Sequence, residues 1–86
     1  MNVEQLLLVA HEFCRAHRVR ISNFAALAAA AAASTATIEG IAVHGNRDAA
    51  AESLETVLRS VPALSGKNEE FARFCAEVYV SVAEVM

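Results

Sequence analysis

The sequence predicts a small all-α domain, and three observations point to this fold class. A chain of 86 residues is the size of one domain. Apolar residues recur at three- and four-residue steps near both ends of the chain, which is the spacing of a helix face. Between them lies a run of alanine, the strongest helix former. We therefore expect a bundle of about four helices in a single domain covering residues 1–86.

The first helix is predicted from Val3 to His17. Asn2 precedes it and Gln5 follows three residues later. This is the spacing of a capping box, in which each side chain bonds the backbone N–H of the other residue. Leu6 and Phe13 then fall on one apolar face.

A second helix is predicted over the alanine tract, after a cap at Ser22 or Asn23. It covers Phe24–Ala33, continues through Thr37 and stops near Gly40. Because small side chains let a neighbouring helix approach closely, we expect this helix to occupy the centre of the bundle. Its predicted contact face consists of Ala25, Ala28, Ala29, Ala32 and Ala36. The alternative is that biased coding explains the alanines and the helix surface is featureless.

A third helix is predicted up to Ser60. Asn46 or Asp48 can cap its start, and Pro62 ends it because proline donates no backbone hydrogen bond. Its predicted buried stripe is Ala50, Leu54, Val57, Leu58 and Val61.

The fourth helix has the clearest stripe, and Asn68 is placed to cap it. The stripe consists of Phe71, Phe74, Cys75, Val78, Val82 and Val85. Tyr79 and Val80 add apolar surface that can seek a partner. A short strand over Val78–Val82 is the alternative, because that run is rich in β-branched residues. The predicted core of the whole chain is Leu6, Leu7, Phe13, Leu27, Leu54, Val57, Leu58, Phe71, Phe74, Val78 and Val82.

Composition and charge exclude several classes of function. The net charge is −3 and lysine plus arginine total seven, so an extended basic surface for nucleic acid is not available. Arg15, Arg18 and Arg20 cluster where cations complement the C-terminal end of the first helix. The longest apolar run is about half the length that spans a bilayer, and no secretory leader pattern opens the chain. We expect a cytoplasmic protein that binds neither nucleic acid nor membrane.

A metal or nucleophilic site is weakly supported. His11, Cys14 and His17 occur at three-residue steps, and Cys75 could join them as a fourth zinc ligand. Side chains at successive three-residue steps drift around a helix, however, and both cysteines fall on apolar stripes where thiols are usually inert. We therefore expect no metal, no other cofactor and no catalytic residue.

The loop at Ser60–Phe71 has the outline of an anion site. A turn that opens into a helix N-terminus presents free backbone N–H groups that can hold a phosphate. Glu69 and Glu70 would repel such an anion, and the loop contains neither a base nor a metal-binding acid. A residual enzyme that uses Ser65–Asn68 as an anion nest is the remaining catalytic alternative.

Three segments of the chain resemble the Doc branch of the Fic family, whose members are small helical toxins. They are V-R-I-S-N-F-A-A-L-A-A-A at Val19–Ala30, D-A-A-A-E-S-L-E-T-V-L at Asp48–Leu58, and S-V-P-A-L-S-G-K-N-E-E-F-A from Ser60. The resemblance implies a Fic/Doc-like helical fold over most of the chain.

The family's catalytic loop reads His-x-Phe-x-Asp/Glu-Gly-Asn-Lys/Gly-Arg. Its histidine acts as base, its acid binds magnesium, and the remainder holds nucleotide phosphates. The resemblance implies a degenerate loop here, since Val61 replaces the histidine, Ser65 the acid and Glu69 the arginine. The residues of this degenerate loop are Val61, Pro62, Ser65, Gly66, Lys67, Asn68 and Glu69, of which Gly66 alone matches in place. Without base and metal ligand, phosphoryl or nucleotidyl transfer should be lost.

A second resemblance lies at Thr35-Ala36-Thr37-Ile38-Glu39-Gly40. It is similar to the inhibitory motif Ser/Thr-x-x-x-Glu-Gly/Asn of Fic proteins and their antitoxins. In that motif a helix-borne glutamate pairs with an arginine of the toxin loop and so imitates a phosphate. The resemblance implies that Glu39 is an inhibitory residue, supported by Thr35 and followed by Gly40. The alternative is that Glu39 and Gly40 only end the second helix.

These resemblances lead to one expected function and two alternatives. We expect a non-catalytic Doc-like protein that binds a protein partner, namely a cognate toxin, an antitoxin or a host protein, in a toxin–antitoxin or phage setting. The first alternative is an antitoxin that inhibits a Fic toxin through Glu39. The second is an unrelated helical module that forms homo-oligomers.

Overall fold

The computed structural model describes residues 2–34, 37–38, 41–42 and 47–85, with the side chains of 2–34 and 48–81. Within these residues the chain forms four helices and one pair of two-residue strands, which confirms the all-α prediction. The elements are α1 (Val3–His17), α2 (Phe24–Ser34), β1 (Thr37–Ile38), β2 (Ile41–Ala42), α3 (Arg47–Ser60) and α4 (Asn68–Val85).

The helices pack in a closed ring. Among the described residues, α1 packs against α2, α2 against α3, α3 against α4, and α4 closes back on α1. The contact between α3 and α4, which a short loop connects, is the most extensive. Because α2 has two neighbours like every other helix, the prediction that it occupies the centre is wrong.

Helix α1 has the predicted bounds and the predicted capping box. Oδ1 of Asn2 accepts a hydrogen bond from the N–H of Gln5 at 2.8 Å, and Oε1 of Gln5 accepts one from the N–H of Asn2 at 2.9 Å. The helix ends at Arg18, whose φ of 57° lies in the left-handed region and whose N–H bonds the carbonyl of Cys14.

Helix α2 ends earlier than predicted. Its last residue is Ser34, whose hydroxyl donates to the carbonyl of Ala31 at 2.8 Å. Thr37 and Ile38 already belong to β1, which pairs antiparallel with β2. Serine hydroxyls compete with helical hydrogen bonds and β-branched residues favour strands, so the predicted continuation through Thr37 is wrong.

The packed face of α2 is also not the predicted one. Ala25, Ala29 and Ala32 are exposed and Ala28 is half-buried, while Ala36 lies outside the described residues. The buried residues are Ala26, Leu27, Ala30, Ala31 and Ser34. Burying a leucine removes much more apolar area from water than burying an alanine. The side of the helix that carries Leu27 therefore faces the core.

The predicted core is largely confirmed. Its buried members are Leu6, Phe13, Leu27, Leu54, Leu58 and Phe71, and its half-buried members are Leu7, Val57 and Val78. Phe74 and Val61 are 38% and 41% exposed, so their predicted burial is wrong. Val61 follows the last residue of α3, where helical spacing no longer fixes its direction, and Phe74 packs on one side against the ring of Phe13. The side chain of Val82 lies outside the description.

The starts of α3 and α4 correct two further predictions. Helix α3 begins at Arg47, which places Asp48 in its first turn and excludes it as the cap, while Asn46 lies outside the described residues. Helix α4 continues without interruption to Val85, so the alternative strand over Val78–Val82 is wrong. In the part of the chain that the structure describes, no helix has the length and apolar character needed to cross a membrane.

Candidate protein-binding site

Two connecting segments lie side by side at one end of the bundle. Residues 18–23 join α1 to α2, and residues 61–67 join α3 to α4. The N–H groups of Ser22 and Asn23 both donate to the carbonyl of Ala63, at 2.8 and 3.0 Å. An antiparallel bridge also pairs Ile21 with Leu64. We call these two segments the clasp, and the end of the bundle that carries them the clasp end.

Ser65 holds the clasp through both its backbone and its side chain. The N–H of Ser65 donates to the carbonyl of Arg20 at 2.7 Å, and the hydroxyl oxygen of Ser65 accepts from the N–H of Arg20 at 2.9 Å. Ser65, which the resemblance to the Fic family would place at the position of the metal-binding acid, therefore joins two segments of the fold. Its N–H is not free to bind a phosphate.

The side chain of Asn68 holds the second segment in place. Its Oδ1 accepts from the N–H groups of Ala63 and Leu64 at 3.1 and 3.0 Å, and its Nδ2 donates to the carbonyl of Leu64 at 3.1 Å. Asn68 is the first residue of α4, and its side chain bonds the preceding loop instead of the N–H groups of the helix. The prediction that it caps α4 is therefore wrong. Lys67 precedes the helix with a φ of 56°, and its carbonyl accepts from the N–H of Phe71 at 2.9 Å.

Gly66, the family-loop position that matches, has no strict need for glycine. It is half-buried, and a Cβ added to it would lie 3.6 Å from Cγ1 of Val19, which is an ordinary contact. A side chain at this position would therefore meet no steric conflict. The remaining members of the degenerate loop are exposed, and they are Val61, Pro62, Lys67 and Glu69.

The thiols and potential metal ligands form no reactive centre in the described part of the chain. No three histidine, cysteine, aspartate or glutamate side chains there are placed to hold a metal ion. Burial raises the pKa of Cys14, and it raises the pKa of Cys75 to about 12. Since the thiolate is the nucleophile, both cysteines are poor nucleophiles at neutral pH.

Positive charge is concentrated at the clasp end. Six of the seven lysine and arginine residues lie in the clasp or within about two helical turns of it, and they are Arg15, Arg18, Arg20, Arg59, Lys67 and Arg73. Arg15 pairs with Glu12 and Arg59 pairs with Glu55. The other four cations are exposed and make no ion pair with a described residue. Sequence reasoning noted the arginines near α1 but not that the fold brings Lys67 to the same end.

Large apolar side chains are exposed at the same end. Phe24, Val61 and Phe74 are 52%, 41% and 38% exposed, and all three lie in the clasp or in the helical turns next to it. Leu8, which is 69% exposed, lies in the other half of α1. Aromatic residues and arginine together are characteristic of binding hot spots at protein interfaces. The clasp end is therefore the best candidate for a protein-binding site.

The inhibitory motif predicted from the sequence receives no support from the fold. Thr35, Glu39 and Gly40 lie outside the described residues. The residues between and after them, Thr37–Ile38 and Ile41–Ala42, are paired strands, so α2 does not extend to the glutamate as the motif requires. An inhibitory role for Glu39 stays a prediction.

Comparison with known proteins gives no assignment. No family model, no curated protein and no solved structure matches this chain. The resemblance to the Fic family therefore stays a prediction from the three sequence segments.

Proposed function

We propose that this protein works by binding another protein through the clasp end, and that it catalyses no reaction. One observation carries the proposal: exposed Phe24 and Val61 lie at the same end of the bundle as Arg18, Arg20 and Lys67, cations that make no ion pair with a described residue. Apolar side chains supply most of the binding free energy at interfaces, and arginine adds directed hydrogen bonds.

The clasp supports binding because it is ordered before a partner arrives. Backbone hydrogen bonds join residues 18–23 to residues 61–67, and the side chains of Ser65 and Asn68 add to them. A surface whose loops are already fixed loses less conformational entropy on association.

The same contacts argue against phosphate transfer. The N–H and hydroxyl of Ser65 and the amide of Asn68 are used within the fold. Glu69 and Glu70 are exposed in the first turn of α4, where their charges interact favourably with the helix dipole and disfavour a phosphate at the N-terminus of this helix.

The resemblance to the Doc branch suggests the biological setting. The partner would be a cognate toxin, an antitoxin or a host protein, in a toxin–antitoxin pair or a phage infection, and the interaction would take place in the cytoplasm. The homo-oligomer alternative differs only in that the partner is a second copy of this chain.

The test requires a purified partner. Cross-linking in the source cells identifies candidates, and calorimetric titration of each purified candidate measures its dissociation constant. The double variant Phe24→Gln, Val61→Gln removes apolar surface at the clasp end. Leu8→Gln is the matched control, because Leu8 is more exposed but lies away from the clasp.

We expect the double variant to weaken binding by about tenfold or more, as loss of hot-spot contacts does, and Leu8→Gln to leave it nearly unchanged. Thermal unfolding of each variant verifies that it is folded. Equal effects of the two variants would contradict the proposal. So would magnesium-dependent transfer of label from ATP to a target protein, while a second copy as the partner would establish the homo-oligomer instead.

A further inference from the structure

The charges at the clasp end indicate the chemistry of the partner, an inference that rests on the proposed binding function. We infer that the partner docks an acidic segment, in which aspartate or glutamate is interspersed with apolar side chains, onto the clasp end.

The first step concerns which cations are available to a partner. Arg18, Arg20 and Lys67 in the clasp, and Arg73 in α4, are exposed and make no ion pair with a described residue. A guanidinium group in this state can bind a carboxylate through two parallel hydrogen bonds. Carboxylates are therefore the side chains that this surface recognises best.

The second step concerns the backbone on which two of these cations stand. Among the described residues, Arg18 and Lys67 are the non-glycine residues with positive φ, at 57° and 56°. Glycine adopts this conformation without strain, whereas a residue with a Cβ does not. The side chains of Arg18 and Lys67 make no hydrogen bond or ion pair with a described residue. An arginine or lysine at each position therefore adds positive charge to the surface but strains the backbone. Such strain is expected where the charge serves binding.

The third step concerns the apolar residues. Phe24 and Val61 expose about half of their surface at the same end. A segment with carboxylates alone would leave them in water, so the partner segment must also carry aromatic or aliphatic side chains.

Nucleic acid fits this surface less well than an acidic segment. Glu69 and Glu70 follow Lys67 after Asn68 and interrupt the row of cations. A phosphate backbone needs several adjacent cations, and a net charge of −3 repels a long polyanion.

The groove between α3 and α4 directs an acidic segment towards the clasp end. The acidic residues that line the groove are Asp48, Glu52, Glu55 and Glu77. Its cations, Arg59 and Arg73, lie towards the clasp. An acidic segment is therefore repelled along most of the groove and attracted at the clasp.

The test selects peptides from a displayed random library. Selection is carried out on the original protein, on the double variant Arg18→Glu, Lys67→Glu, and on Arg47→Glu, a control at the start of α3. We expect the original protein and Arg47→Glu to enrich peptides that combine aspartate or glutamate with aromatic or leucine residues. The double variant should lose this acidic bias.

A selected peptide is then synthesised and titrated into the isotopically labelled protein. Amide signals of the clasp residues should shift. The dissociation constant should rise about tenfold in the double variant, and severalfold as ionic strength rises from about 0.05 to about 0.3 M, because salt screens exposed charges.

Three results would overturn the inference: selected peptides without acidic bias, signals that shift away from the clasp, or tighter binding of a duplex oligonucleotide than of the acidic peptide. The two proposals can fail separately. If a cellular partner binds the clasp end through a neutral or basic segment, the binding function stands and this inference fails. If no cellular partner depends on the clasp end, the proposed function fails whatever the library selects.

Discussion

Replacing Asn68 with alanine should lower the free energy of unfolding by about 2–3 kcal/mol. The change removes three hydrogen bonds to the backbone of Ala63 and Leu64, each with a net contribution of about 1 kcal/mol. Ala63 and Leu64 are buried, so their N–H groups lose a partner where water has little access. Asn68 itself is half-buried. In the alanine variant, water enters the vacated space and bonds the freed N–H groups, which keeps the loss of unfolding free energy within this range.

Urea denaturation followed by circular dichroism measures this loss directly. For a domain of this size the expected loss corresponds to a melting temperature lower by about 10–20 °C. Asn68→Asp is the matched control, because aspartate keeps both acceptor bonds, although its second carboxylate oxygen replaces the donor and faces the carbonyl oxygen of Leu64. Its negative charge suits the first turn of a helix and offsets part of this repulsion, so we expect Asn68→Asp to cost less stability than Asn68→Ala.

A loss of less than about 0.5 kcal/mol for Asn68→Ala would refute the structural role derived for this side chain, since three net hydrogen bonds cannot cost so little. Equal losses for alanine and aspartate would refute the assignment of the two acceptor bonds.

Three other perturbations test separate features of the fold. Arg18→Gly should raise the free energy of unfolding by about 0.5–1 kcal/mol because it relieves the strain of a left-handed backbone conformation. The control Arg20→Gly should lower it. Urea denaturation measures both variants, and a loss of stability in both would contradict this prediction. Ala30→Lys should lower the melting temperature far more than Ala29→Lys, since Ala30 is buried and Ala29 is exposed, and equal melting curves would show that the packed face of α2 is wrongly placed. Because burial raises the pKa of Cys75 from 9.0 to about 12, the unfolded chain releases this proton first as pH rises. Cys75 should therefore leave the stability unchanged below about pH 8. Above about pH 9 it should lower the free energy of unfolding by up to about 1.4 kcal/mol per pH unit. In denaturation measured up to about pH 10, Cys75→Ala should reduce this slope.

Helix α1 could be predicted to the residue because its signals are local. Asn2 and Gln5 fix its start, and Leu6 and Phe13 fix its buried face. The alanine tract of α2 has no such contrast between its faces. Its orientation depends on turning Leu27 into the buried core while α2 packs against α1 and α3, which the spacing of the alanines does not reveal.

The clasp could not be predicted because its contacts are distant in sequence. Arg20 and Ser65 are 45 positions apart, and the two bonds between them involve three backbone groups and one side-chain group, the hydroxyl of Ser65. Backbone groups are common to nearly all residues and so leave no signal in the sequence. Serine, glycine, lysine and asparagine before a helix are typical of a phosphate-binding turn, but the same residue types also suit a tight loop that bonds to a neighbouring segment. The sequence therefore drew attention to this loop, but it did not reveal that the polar groups of Ser65 and Asn68 bond other parts of the fold.

If the proposed partner binds at the clasp end, its binding and the stability of the fold are coupled there. Arg18 and Lys67 stand on different segments, so a partner that contacts both favours the arrangement in which the two segments lie together. At a free concentration of about one hundred times its dissociation constant, such a partner adds about 2.7 kcal/mol to the stability of the folded state. This gain is as large as the loss expected from removing the side chain of Asn68, and it is a sizeable share of the stability of a small domain. An alanine-rich chain of 86 residues has little core to bury, so the proposed partner would add stability that offsets the backbone strain at Arg18 and Lys67.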